Sequence, residues 1–99
     1  MYRLRNKDGR YATAGLKKYT KHGKVWTSEG YLFLAIQCGI PLPQVKDGFP
    51  LKNMRPLKNF IVEDLKNNKE MTLYDFVINY VKSGKSSLFY IKDDKLFCK

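Results

Sequence analysis

A single small α+β domain, its elements in the order ββ-β-α-β-α-ββ and its sheet mainly antiparallel, is predicted by three features of the sequence. Short stretches alternating apolar and polar residues stand at both ends, each broken by a turn signal, and two helix-type segments with caps and glycine stops lie between them. A chain of 99 residues is the size of one domain. With 43% hydrophobic and 14% aromatic residues it can bury a core without a disulfide or a metal. The predicted organisation is a basic N-terminal hairpin and loop over 1–26, a central helix over 28–38, a connector over 40–58, and a strand, helix and hairpin over 59–99.

Tyr2-Arg3-Leu4-Arg5 alternates apolar and basic, Asp8-Gly9 is a two-residue turn signal, and Arg10-Tyr11-Ala12-Thr13 resumes the alternation. Closing the hairpin at Asp8-Gly9 sets Lys7 opposite Arg10, Arg5 opposite Ala12 and Arg3 opposite Ala14, so Arg3, Arg5, Lys7 and Arg10 share one face. A four-residue loop over Asn6 to Gly9 keeps that parity, whereas a three-residue loop breaks it. Ala14 to Gly23 reads as a loop, and Lys24-Val25-Trp26 as a short third strand with Trp26 anchored in the core. Thr27 or Ser28 caps a helix through Cys38, apolar nearly all round and so expected between layers, with Gly39 as its stop and Pro41 and Pro43 preventing its resumption.

The 40–58 connector carries Pro41, Pro43, Pro50 and Pro56. It reads either as a lid in which Phe49, Leu51 and Leu57 cover the core or as a rigid apolar edge for a protein partner. Phe60-Ile61-Val62, with Leu65, predicts a strand, with a helix from Pro56 to Lys66 as the alternative. Thr72, with Asp75 three residues on, caps a helix whose Leu73, Phe76, Val77, Tyr80 and Val81 form a core stripe ending at Gly84. Leu88-Phe89-Tyr90-Ile91, a turn at Lys92-Asp93-Asp94-Lys95, and Leu96-Phe97-Cys98 complete a second hairpin.

Charge points to function. There are 19 Lys+Arg against 9 Asp+Glu, a formal net charge of +10, and residues 1–26 alone hold Arg3, Arg5, Lys7, Arg10, Lys17, Lys18, Lys21 and Lys24 against Asp8. A basic excess gathered in one segment calls for a polyanionic partner. A sequence-independent grip on phosphates is expected, because Asn6 is the one base-reading amide in the hairpin. Tyr19, interleaved with the loop lysines, and Trp26, as the alternative to its core role, are the candidate stacking residues.

Catalytic constellations are missing from the sequence. His22 is the only histidine and sits among lysines, Cys38 and Cys98 lack metal-ligand spacing, and no phosphate-cradling glycine motif occurs. Glu63-Asp64 would point to opposite faces of a strand, and Asp93-Asp94 belongs to a turn. A non-enzyme with no metal and no cofactor is expected. Both cysteines are read as reduced core or near-core thiols. No apolar run long enough for a bilayer or a signal peptide exists, so a cytoplasmic protein without a membrane partner is expected.

The run Tyr2-Arg3-Leu4-Arg5-Asn6-Lys7-Asp8-Gly9-Arg10-Tyr11-Ala12-Thr13-Ala14-Gly15, with Lys21-His22-Gly23-Lys24-Val25-Trp26 after it, resembles the opening of small uncharacterised early proteins of T-even-like tailed bacteriophages. The resemblance covers the N-terminal hairpin, strand and helix, about a quarter of the chain. It implies a phage protein acting in the host cytoplasm during host takeover and modulating a host enzyme that handles nucleic acid. The expected function is sequence-independent duplex DNA binding, with RNA as a second polyanion. The alternative is a protein-protein inhibitor of a host enzyme, for example a DNA topoisomerase or RNA polymerase, through an acidic surface of that partner.

Overall fold

The computed structural model describes residues 1–39 and 48–99. Its elements are β1 (Tyr2–Arg5), β2 (Tyr11–Ala12), β3 (Tyr19–Thr20), α1 (Glu29–Gly39), β4 (Phe49–Pro50), a 3-10 helix (Leu51–Asn59), β5 (Ile61–Asp64), β6 (Lys69–Thr72), α2 (Leu73–Lys82), β7 (Phe89–Lys92) and β8 (Lys95–Cys98). A five-stranded sheet runs β3-β2-β1-β5-β6 and a three-stranded one β4-β8-β7, all pairings antiparallel. The α+β class and the main elements expected from the sequence are present, and the buried apolar residues form one core cluster.

Burial and charge together set the central pairing of β1 with β5. Leu4 lies opposite Val62, both fully buried, while Arg3 lies opposite Glu63 on the other face. On the outer side of β5, β6 continues straight into α2. Thr72 ends the strand and caps the helix, its Oγ1 accepting from the Asp75 amide at 3.1 Å. Leu73, Phe76, Val77 and Val81 then face the core. The Phe33 and Tyr80 rings stack at 4.2 Å between the helices, and Lys85 pairs with Glu29, which holds the lysine's pKa above its usual value.

Four expectations are corrected. Lys24–Trp26 is not a strand: Trp26 makes a single bridge to Tyr2, and the third strand is Tyr19–Thr20. The helix α1 is not enclosed, because Leu32, Phe33 and Ile36 are buried while Tyr31 is 64% and Leu34 57% exposed. Cys38 is exposed with them, and Cys98 is half-buried; both are free thiols. The stretch expected only as a connector carries regular structure in its described part, β4 and a 3-10 helix broken at Met54. Three residues per turn bring Leu51, Met54 and Leu57 to one buried side, so Leu51 and Leu57 cover the core as the lid reading required. Pro41 and Pro43 lie outside the described residues. The strand β6 was not anticipated, its Lys69-Glu70-Met71-Thr72 having little β-type patterning.

Candidate nucleic-acid interface

The first hairpin closes one residue earlier than the Asp-Gly signal implied. The Asn6 amide donates to the Arg10 carbonyl at 2.8 Å, the Gly9 amide to the Asn6 carbonyl at 3.1 Å, and Gly9 takes φ +80°. This is a three-residue connection ending in a left-handed glycine. The Asn6 side chain is consumed in the turn, its Oδ1 accepting from the Asp8 and Arg10 amides at 3.0 Å each. Asn6 is therefore not free to read a base.

That extra residue inverts the parity of the second strand. Arg5 lies opposite Tyr11 rather than Ala12, and Ala12 turns into the core with no exposure. The outer face of the sheet then carries Arg3 and Arg5 of β1 and Tyr11 of β2 beside Glu63 of β5 and Glu70 of β6. Glu63 accepts from Arg3 Nη2 at 3.2 Å, Arg5 Nη1 at 2.8 Å and the Tyr11 hydroxyl at 3.0 Å. The Arg3 guanidinium also sits 3.9 Å from the centre of the Tyr11 ring. Arg5 reaches Glu70 at 3.4 Å. The predicted face of four bare cations is thus corrected: Arg3 and Arg5 are half-buried partners of carboxylates, and only Lys7 and Arg10 project from the hairpin tip.

The other cations stand on loops with their own anchors. Between β2 and β3, the Thr13 amide donates to the Lys18 carbonyl at 3.0 Å, and Leu16, at φ +56°, is buried against Gly39 of α1. Sinking Leu16 leaves its neighbours Lys17 and Lys18 in solvent. After β3, Thr20 Oγ1 accepts from the amides of His22 and Gly23, and Gly23 adopts φ +62°. A Cβ on Gly23 would lie 2.3 Å from that of Tyr11, so this turn packs flat on β2 with Lys21 and His22 outward.

Antiparallel order locates these groups. Thr20 is paired with Tyr11, which places Lys21 and His22 at the same end of the β2-β3 ladder as Lys7 and Arg10. Ala12 is paired with Tyr19, which places Lys17 and Lys18 at the opposite end. Lys24, whose amide donates to the Ala12 carbonyl at 2.8 Å, runs alongside. Lys7, Arg10, Lys17, Lys18, Lys21 and Lys24 are exposed and, among the described residues, have no carboxylate within 4 Å.

The two stacking candidates are both packed inward. Trp26 is 4% exposed and exchanges backbone hydrogen bonds with Tyr2 at 2.8 Å, which makes it a core anchor and removes it as a stacking platform. Tyr19 is half-buried, its ring 6.1 Å from that of Phe60, and burial raises its pKa. Glu63 and Asp64 point to opposite faces as strand neighbours must. The Asn67 side chain donates to Asp64 at 2.8 Å and holds its carboxyl below the usual range.

Sequence reasoning missed Glu63 and Glu70 as partners of the arginines, and Leu16 as the loop anchor. A glutamate centred in a β-type run, answering an Arg-x-Arg strand, was the one signal pointing to the former. A groove of about 500 Å³ also lies between Lys24–Thr27 and the Tyr31, Leu34 and Cys38 face of α1. Among the described residues no group of three His, Cys, Asp or Glu side chains is placed to hold a metal, and no helix is long and apolar enough to cross a membrane. Comparison of the chain with protein-family models, curated proteins and solved structures gives no match.

Proposed function

We propose that the protein is a non-enzymatic nucleic-acid-binding protein that grips the phosphates of duplex DNA, without reading sequence, through the loops flanking β2 and β3. The observation that carries this reading is the set Lys7, Arg10, Lys17, Lys18, Lys21 and Lys24, exposed on loops and, among the described residues, with no carboxylate within 4 Å. Phosphates bound by loose cations at several heights give register-free electrostatic binding. Arg3 and Arg5 support this surface by fixing β1 rather than by touching the ligand.

Reversing Lys7, Arg10, Lys17 and Lys18 together to Glu tests the reading, because none of the four holds the fold. Affinity for a 30-base-pair duplex at low salt falls at least tenfold while the circular dichroism spectrum is kept. An unchanged affinity removes the loops from the account. Duplex RNA in the same assay decides which polyanion is preferred.

A second reading, inhibition of a host nucleic-acid enzyme through protein contact, is supported by the exposed Tyr31, Leu34 and Cys38 stripe of α1 beside Lys24. Phe49 and Pro50, the described part of the edge expected from the sequence, are half-buried. With the phage resemblance of residues 2–26, the setting for either reading is an infected bacterial cytoplasm. A bacterial protein retained after nuclease treatment, and released by Leu34→Glu, favours protein contact; loss of all partners on nuclease treatment favours nucleic acid.

A further inference from the structure

On the smaller sheet, away from the loop cations, the antiparallel register sets Phe89 opposite Cys98, Tyr90 opposite Phe97, Ile91 opposite Leu96 and Lys92 opposite Lys95. Phe89 and Leu96 are buried, so the Tyr90-Phe97 and Lys92-Lys95 pairs, two residues apart, lie together on the outer face. Two features of this face are unusual for a surface that only closes a hairpin.

The aromatic pair is stacked, with ring centres 5.1 Å apart and planes within 10°. Its Phe97 end is closed by Gly48, where a Cβ would stand 2.8 Å from two ring carbons. Among the described residues its Tyr90 end is open. Tyr90 belongs to β7, the edge of the sheet order β4-β8-β7, is 40% exposed, and among the described residues has no strand beyond it. The lysine pair is the second feature. Like charges directly opposite one another destabilise a ladder, and neither lysine has a carboxylate within 4 Å among the described residues, although Asp93 and Asp94 form the turn between them. An anion placed between two such cations relieves the repulsion.

We propose that this face binds single-stranded nucleic acid, an unpaired base adding to the open side of the Tyr90-Phe97 stack and a phosphate bridging Lys92 and Lys95. The two pairs are ~6.8 Å apart along the strands, comparable with the reach from a base to its own phosphate. A paired duplex cannot use such a platform, because its base faces are already stacked; an unpaired strand offers both a free ring face and a flexible backbone. The inference does not rest on the loop cations and stands or falls separately from them.

The test is fluorescence anisotropy of the full chain with labelled oligo-dT and oligo-rU of 15 nucleotides, and with a 30-base-pair duplex. Tyr90→Leu keeps an apolar side chain on the strand but has no ring. It weakens single-strand binding about 5- to 150-fold, leaves duplex binding unchanged, and Tyr90→Phe restores the wild-type value. The same Tyr90 dependence persists in the protein with Lys7, Arg10, Lys17 and Lys18 reversed to Glu. Comparing the two oligonucleotides tells which sugar is preferred. Wild-type single-strand affinity in Tyr90→Leu, or equal losses on single strand and duplex, overturns the proposal and leaves the aromatic pair as a cross-strand prop alone.

Discussion

Replacing Glu63 by Gln isolates the group on which the first sheet's outer face turns. The Glu63 side chain is 13% exposed and accepts three hydrogen bonds, two from guanidinium groups that are 28% and 29% exposed. A charge-assisted hydrogen bond contributes ~1.5–3 kcal/mol against ~0.5–1.5 for a neutral one, so neutralising the acceptor of two such bonds costs ~2 kcal/mol after discounting for the arginines' partial exposure. In a domain of this size that lowers Tm by ~8–16 °C. Urea unfolding reads the loss directly. Glu70→Gln is the control, since the Glu70 carboxylate is 59% exposed and 3.4 Å from Arg5, and an exposed pair of this kind contributes at most ~0.5–1 kcal/mol. If Glu63→Gln loses no more than Glu70→Gln, the arginines are not structural and belong again with the phosphate-contacting cations.

Three further outcomes follow from the local geometry. Gly23→Ala forces a Cβ into the space of Tyr11 at a left-handed φ and should cost ~2–3 kcal/mol, read as a lower urea midpoint. Thr72→Ala removes the hydroxyl that caps α2 and should cost ~1 kcal/mol, whereas Thr72→Ser should retain most of it. Burial raises the pKa of Tyr2, with the nearby Asp64 and Glu29 charges adding to it, and burial raises that of Tyr19. Both groups favour the folded state fully below their unfolded pKa of ~10, and that contribution is lost as pH rises through the higher folded values. The urea midpoint therefore falls above pH ~10, and the paired Tyr2→Phe and Tyr19→Phe changes shrink that fall; an unaltered fall contradicts the assignment.

What the sequence disclosed, and what it hid, follows from the range of the interactions involved. The helix α2 was legible because cap, stripe and stop all lie within one short stretch, and the structure keeps Thr72, Leu73, Phe76, Val77 and Val81 in those roles. The C-terminal hairpin was legible because Asp93 and Asp94 can both take the left-handed conformation its two-residue tip requires, at φ 53° and 58°. The first hairpin was not. Asp8-Gly9 fits a two-residue turn and the end of a three-residue one equally well, and the difference of one residue decides whether Ala12 or Tyr11 joins the arginines. Alternation in Tyr2–Arg5 shows that Arg3 and Arg5 share a face but not what lies across from it. Glu63 comes from a strand 58 residues beyond Arg5. The same limit applies to α1: its apolar composition marks a helix, but which of Tyr31, Leu32, Phe33 and Leu34 meets a neighbour depends on the sheet against which it settles.

The central claim, that loop cations hold duplex phosphates, is tested most directly by the salt dependence of binding to a 30-base-pair duplex. Neutralising about 4–6 phosphates predicts that log K falls linearly with log salt at a slope of roughly −4 to −5. A slope near zero, or no duplex binding even at low salt, contradicts it.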